Sequence, residues 1–192
     1  MATVAATATV AATAAAAAGY GAVVTGALTL DLGWGRTTQP LGPMQVDIAA
    51  PRQTVFDLIA APYVHRTPRA MATKLEVLER GNDMALAAHF TSLPGGLVAT
   101  TVETVRFWPP ERVEFRLLRG PVPYVHETMV LEETDGGTRL RYDGELGTDF
   151  WAVGQWWGRQ VADKWVATVL ASLTSIRAEA ERRPKHAPSA QA

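Results

Sequence analysis

Near the C-terminus, Val153, Trp156, Trp157, Val161, Trp165, Val169, Leu173 and Ile176 recur at spacings of three and four. They therefore share one face of a helix that runs for many turns. Asp149 is placed to cap its start and Pro184 to stop it. A stripe this long must lie on an equally extended apolar surface, so the rest of the chain has to supply a sheet or a second layer of helices. Tryptophans at helical spacing belong to a core first. A long helix over short strands also leaves a space unfilled at one end, where Trp157 or Trp165 would meet a flat ligand.

The rest of the chain reads as strands. Met44, Val46 and Ile48 alternate with Gln45 and Asp47, which predicts a half-buried strand. Pro51 suits the first position of a helix, and Val55, Phe56, Leu58 and Ile59 keep helical spacing until Pro62. Tyr63 to Ala70 continues helically but is broken at His65-Arg66-Thr67-Pro68, giving a short helical hairpin. From Lys74 the period becomes two. Leu75 to Leu78, Met84 to Phe90, Leu97 to Phe107, Val113 to Arg119, Val125 to Leu131 and Thr138 to Glu145 are six strands separated by Gly, Pro, Asn and Asp turns. The fold class is α+β: a curved antiparallel sheet wrapped around the C-terminal helix, with the hairpin after the first strand. One domain covers 41–183, preceded by an Ala/Thr-rich tract over 1–34 and followed by a tail over 184–192 expected to be disordered.

Composition removes several functions. The formal net charge is −1 with acids and bases interspersed, so there is no basic footprint for nucleic acid. Without cysteine there is no disulfide, thiolate zinc site or thiol nucleophile. His65, His89, His126 and His186 lack metal-ligand spacing, so neither metal nor cofactor is expected. No GxSxG, GxGxxG or Ser-His-Asp order is present.

Residues 2–30 carry no charge and consist mainly of Ala, Thr, Gly and Val. The length matches a bilayer, but only Leu28 and Leu30 are strongly apolar, and no Lys or Arg precedes the segment as a signal peptide requires. A weak transmembrane anchor, a degraded export signal and a disordered tail all remain open, with the anchor leading. Arg36, the first basic residue, would then keep the domain in the cytoplasm.

The order strand, helix pair, meander, long C-terminal helix resembles the helix-grip fold of the START-like, or polyketide cyclase (SRPBCC), superfamily. VDIAAPRQTVFDLIAAP (Val46 to Pro62) is similar to that group's opening strand and helix, and DGGTRLRY (Asp135 to Tyr142) to the hairpin of its last strands. The resemblance implies a pocket between sheet and helix for a lipid, polyketide or other apolar molecule. It does not imply one activity.

A turn centred near Pro110 pairs Phe107 with Val113, Val105 with Phe115 and Glu103 with Leu117 on one face. Carried back through the turn near Gly95, the register sets Ala87 and His89 beside Glu103 and Thr101. Val125, Met129 and Leu131 bring Glu127 to the same side, Leu140 and Tyr142 face it, and Arg119 extends its own strand's inward row. His126 points the other way, and His65 and Arg66 fall at the mouth. With Phe56, Trp157 and Val161 these inward residues are the expected ligand contacts. Two carboxylates on an apolar face need a reason. Either bulges carry them to solvent, or Arg119 neutralises one. In the third reading a glutamate is a general base, with Tyr142 or His89 donating to an oxyanion. Three functions follow: a carrier of a small apolar ligand, which leads; a cyclase- or dehydratase-like enzyme; and a membrane-tethered interaction module. Oligomeric state is not readable.

Overall fold

The computed structural model describes residue 15, residues 17–65 and residues 73–183. Its strands are β1 (Thr37–Pro40), β2 (Met44–Ile48), β3 (Leu75–Arg80), β4 (Met84–Ser92), β5 (Val98–Trp108), β6 (Arg112–Arg119), β7 (Tyr124–Thr134) and β8 (Gly137–Thr148). Two helices join them, α1 (Arg52–Val64) and α2 (Trp151–Arg182), and residues 17–24 are also helical. The sheet is antiparallel in the order β1-β8-β7-β6-β5-β4-β3, with β2 also paired to β8. This is the helix-grip arrangement: the concave face meets α1 and α2, and the core lies between them.

The meander follows from alternation. Val113, Phe115, Leu117, Val125, Met129, Leu131, Leu140 and Tyr142 are all buried, while their neighbours in sequence are half-buried or exposed. β1 has no apolar alternation, its residues being Thr37, Thr38, Gln39 and Pro40. It is held by pairing with the end of β8, Thr37 opposite Thr148 and Pro40 opposite Glu145, which its own residues do not announce. In β3 the register shifts between Val77 and Glu79, and Leu78 turns out to solvent.

Both helices differ from their sequence reading in detail. Pro51 is the N-cap of α1 rather than its first residue, and Pro62 sits inside the last turn instead of ending the helix. Of the expected second arm of the hairpin, Tyr63 to Ala70, residues 66–70 lie outside the described residues. Along α2 the buried positions are Gly154, Gly158, Ala162, Val169, Leu173 and Ala180, while Val153 and Trp156 point to water. Small residues, not tryptophans, bring the start of α2 onto the sheet. A Cβ on Gly158 would stand 2.9 Å from the Gln39 amide and 3.0 Å from the Thr148 hydroxyl.

Asp149 does not cap α2. The N-cap is Phe150, in the left-handed region at φ 72°, with no side-chain cap. The buried Asp149 carboxylate instead accepts the amides of Leu32 and Gly33, at 2.7 and 2.8 Å, and Arg36 Nε at 2.8 Å. It thereby ties the N-terminal arm to the domain. The arm continues with Phe150 N–H on the Trp34 carbonyl, Thr29 Oγ1 on the Gly120 backbone, and Thr100 N–H on the Thr25 carbonyl. Tyr20 stacks edge-on against Trp157. A membrane span over 2–30 therefore finds no support: among the described residues no helix is long and apolar enough to cross a bilayer, and residues 25–36 are docked on the fold.

Candidate functional site

β4, β5 and β6 pair in the register expected from their turns. Ala87 pairs with Glu103 and His89 with Thr101, and Val105 and Glu103 face Phe115 and Leu117. Glu103 and Glu127 are 5% and 6% exposed, so bulges do not carry them to water. Phe56, Ala87, Val105, Phe115, Leu117 and Met129 form the apolar wall around them. Thr101, Val161 and Trp157 are half-buried at its margin.

Glu127 has two partners on a single oxygen. The Tyr142 hydroxyl donates to Oε1 at 2.5 Å, and Trp165 Nε1 donates to the same atom at 2.8 Å. Gly144, opposite Glu127 in the ladder, makes room: a Cβ there would sit 3.1 Å from the Tyr142 hydroxyl and 3.2 Å from Glu127 Cγ. Glu103 meets His89, Oε2 to Nδ1 at 3.2 Å, and His89 Nε2 lies 3.0 Å from the Tyr63 hydroxyl. Tyr63 packs against the rings of His89, Phe107 and Phe115. Two short polar chains thus cross an apolar interior, Tyr63–His89–Glu103 and Trp165/Tyr142–Glu127. The second oxygens of the two carboxylates accept no hydrogen bond from a described residue.

Burial, then the nearby charge of Glu103, pushes Glu127 up to about 7, against the pull of Tyr142 and Trp165. Burial also raises the hydroxyls of Tyr63 and Tyr142 well above the ordinary tyrosine range, aided by the carboxylates, so both keep their protons. For His89, burial lowers the pKa, but the hydrogen bond and charge of Glu103, with Glu127 behind, leave it raised overall. Near neutral pH the site thus holds a carboxyl that can give or take a proton and hydroxyl donors that stay neutral. Among the described residues no group of His, Asp and Glu is arranged to hold a metal ion.

Two sequence assignments change and a third is extended. Arg119 is exposed and neutralises neither glutamate, because the register slips between Val102 and Glu103 and pairs Arg119 with Val102. Trp157 Nε1 donates to the Pro121 carbonyl at 2.8 Å, about 12 Å along α2 from Trp165, and so belongs to the arm's docking site. Trp165 packs against the core as read and in addition donates Nε1–H to Glu127. His65 is exposed, Arg66 lies outside the described residues, and His126 is on the convex face 3.2 Å from Glu114. Tyr63 is the residue sequence reasoning missed. Its signal was present, since Phe56, Ile59 and Tyr63 follow helical spacing on the face α1 turns inward. The convex face also carries a groove of about 960 Å³ between β1, β2, β7 and β8, on the far side of the sheet from these groups.

Residues 43–181 match the family described as polyketide cyclase / dehydrase and lipid transport. Among solved structures, the Zhui aromatase/cyclase from Streptomyces sp. R1128 superposes with a TM-score of 0.65 at 18% identity, covering 79% of this chain and 99% of that one. The di-domain ARO/CYC BexL from the BE-7585A biosynthetic pathway gives 0.55 at 20% identity, over 78% of this chain and 52% of BexL. TTHA0849 from Thermus thermophilus gives 0.51 at 18% identity, over 76% and 94%. At such identities these likenesses bear on the fold alone. No curated protein matches the sequence.

Proposed function

The chain belongs to the polyketide cyclase / dehydrase and lipid transport family, and on that premise we propose that it takes a small apolar molecule bearing ketone or hydroxyl oxygens between sheet and α2 and moves a proton on it. The observation that carries this reading is Glu127: a buried carboxyl in an apolar wall, anchored through one oxygen by Tyr142 and Trp165, with its second oxygen accepting from no described residue. An anchored carboxylate is held in one orientation and is weakly solvated, which raises its basicity toward a carbon acid. The proton leaves the carbon beside a ketone for Glu127, and the developing enolate oxygen takes a hydrogen bond from the Tyr63 hydroxyl, whose oxygen in turn accepts Nε2–H of a protonated His89. Returning the proton to a different atom isomerises the ligand; loss of a neighbouring hydroxyl as water dehydrates it. Aromatase/cyclase is the activity named for two of the similar structures, which agrees with this chemistry.

The second reading is carriage without turnover. It is favoured by the same two wall donors, which fit a carboxylate that only marks the ligand's orientation. Hydrogen–deuterium exchange at the α-carbon of a bound apolar 1,3-diketone separates the two. Proton transfer predicts exchange by the native protein that rises as pH climbs through about 7 and is lost in Glu127→Gln while affinity persists. Tight binding with no exchange by either protein leaves only carriage.

A further inference from the structure

The end of the molecule where α2 begins holds nearly all the large apolar side chains that the fold leaves in water. Among the described residues every exposed one except Val64, Leu78 and Leu170 lies there, on the N-terminal arm, the first turns of α2, or the ends of β5 and β6. Trp34, Trp151, Trp156 and Val153 are 64, 65, 55 and 72% exposed, and Tyr20 63%. They are brought together by Phe150 N–H on Trp34 O, Trp151 N–H on Gly35 O, and Tyr20 against Trp157. Apolar side chains from separate segments converging on one end make a patch of the kind monomeric proteins rarely leave uncovered.

We propose that this end docks on the surface of a lipid bilayer, lying in the interface without crossing it. Three features select a bilayer over a protein partner. Tryptophan and tyrosine, with apolar rings and one polar atom, suit the headgroup boundary, and leucines at 28, 30 and 32 supply apolar depth beside them. On the arm itself charge is nearly absent, since residues 1–30 have none and Asp31, Arg36 and Asp149 are paired with one another, and the exposed Arg119 and Arg159 at the margin of the patch are cations of the kind lipid phosphates accept. Finally, the uncharged residues 2–14 join the chain at this same end, ahead of the helical stretch 17–24 that carries Tyr20. The patch is independent of the proton-transfer reading, since none of its residues touches Glu103, Glu127 or His89.

Flotation of the full chain with phosphatidylcholine vesicles tests it. The native protein should float with the vesicles, and added salt should leave the bound fraction unchanged because few charges take part. Trp34→Ser, Val153→Ser and Trp156→Ser combined should weaken partitioning by about 100-fold, each side chain losing a share of its burial. These positions are exposed, and the matching Phe, Ile and Phe variant should bind as the native chain does, which separates lost apolarity from lost folding. A native protein that stays with the unbound fraction overturns the proposal. So does concentration-dependent dimerisation in sedimentation that the serine variant abolishes while vesicle binding is absent, since a second copy then covers the patch.

Discussion

Replacing Glu127 with Gln isolates what burying that carboxyl does to the fold. An acid whose pKa is higher folded than unfolded binds more protons in the native state between the two values, so stability falls as pH rises through that window. For Glu127 the window runs from 4.5 to about 7. At about 1.4 kcal/mol per tenfold change, this contributes about 3 kcal/mol, present in full below the unfolded pKa and gone above the folded one. Glu127→Gln keeps an Oε1 for the Tyr142 hydroxyl and Trp165 Nε1 but cannot ionise. Urea titrations followed by circular dichroism, run near pH ~4.5 and pH ~8, should show the native protein losing about 3 kcal/mol more than the variant across that span. Identical losses in both would mean that Glu127 ionises in its ordinary range, and the desolvated-carboxyl argument would fail.

Trp165→Phe keeps the ring but removes one donor to Glu127, so above pH ~7 it should cost about 1.5 to 3 kcal/mol and raise the Glu127 pKa further, read by the same titrations. Glu103→Gln removes the partner that outweighs burial at His89. The His89 pKa, followed by NMR of its ring protons, should fall, and the stability that the raised value adds at low pH, lost as pH climbs through the folded pKa, should shrink with it. Gly154→Ala places a Cβ 1.5 Å from the Asp149 carbonyl oxygen. Backbone must move, so the urea midpoint should drop by the equivalent of about 3 kcal/mol, and an unchanged midpoint would contradict the close helix approach.

Most of the sheet was legible because each strand alternates: the pairs Phe107–Val113, Val105–Phe115 and Glu103–Leu117 follow from turn position and period alone. Arg119 was misplaced because one bulge reverses the facing of every residue beyond it, and a bulge leaves no periodic trace. β1 was missed because a four-residue strand takes its conformation from its partner, β8. On α2 the stripe was real but read by hydrophobicity, whereas the packing face at its start is chosen by size: Gly154 and Gly158 go in, and Val153 and Trp156 stay out. Asp149 looked like a cap because its neighbours begin a helix. Its actual partners, Leu32, Gly33 and Arg36, are more than a hundred residues away in sequence. The carboxylate pair was visible as a pattern, but Trp165, which donates to Glu127, and Tyr63, which meets His89, come from helices whose rotation on the sheet no period specifies.

Arg80 closes β3, the outermost strand of the open sheet, and its guanidinium donates to the carbonyls of Tyr63 and His65, each at 2.9 Å, at the frayed end of α1. An outermost strand is where a foreign chain can add itself to the ladder. Here such an intruder would meet Glu76, Glu79 and a kink, and it would also have to dislodge the arginine that holds Tyr63 in line with His89. Arg80 therefore contributes both to the defence of this edge and to the alignment of the interior hydroxyl, so a lesion there should surface as aggregation together with a displaced Tyr63.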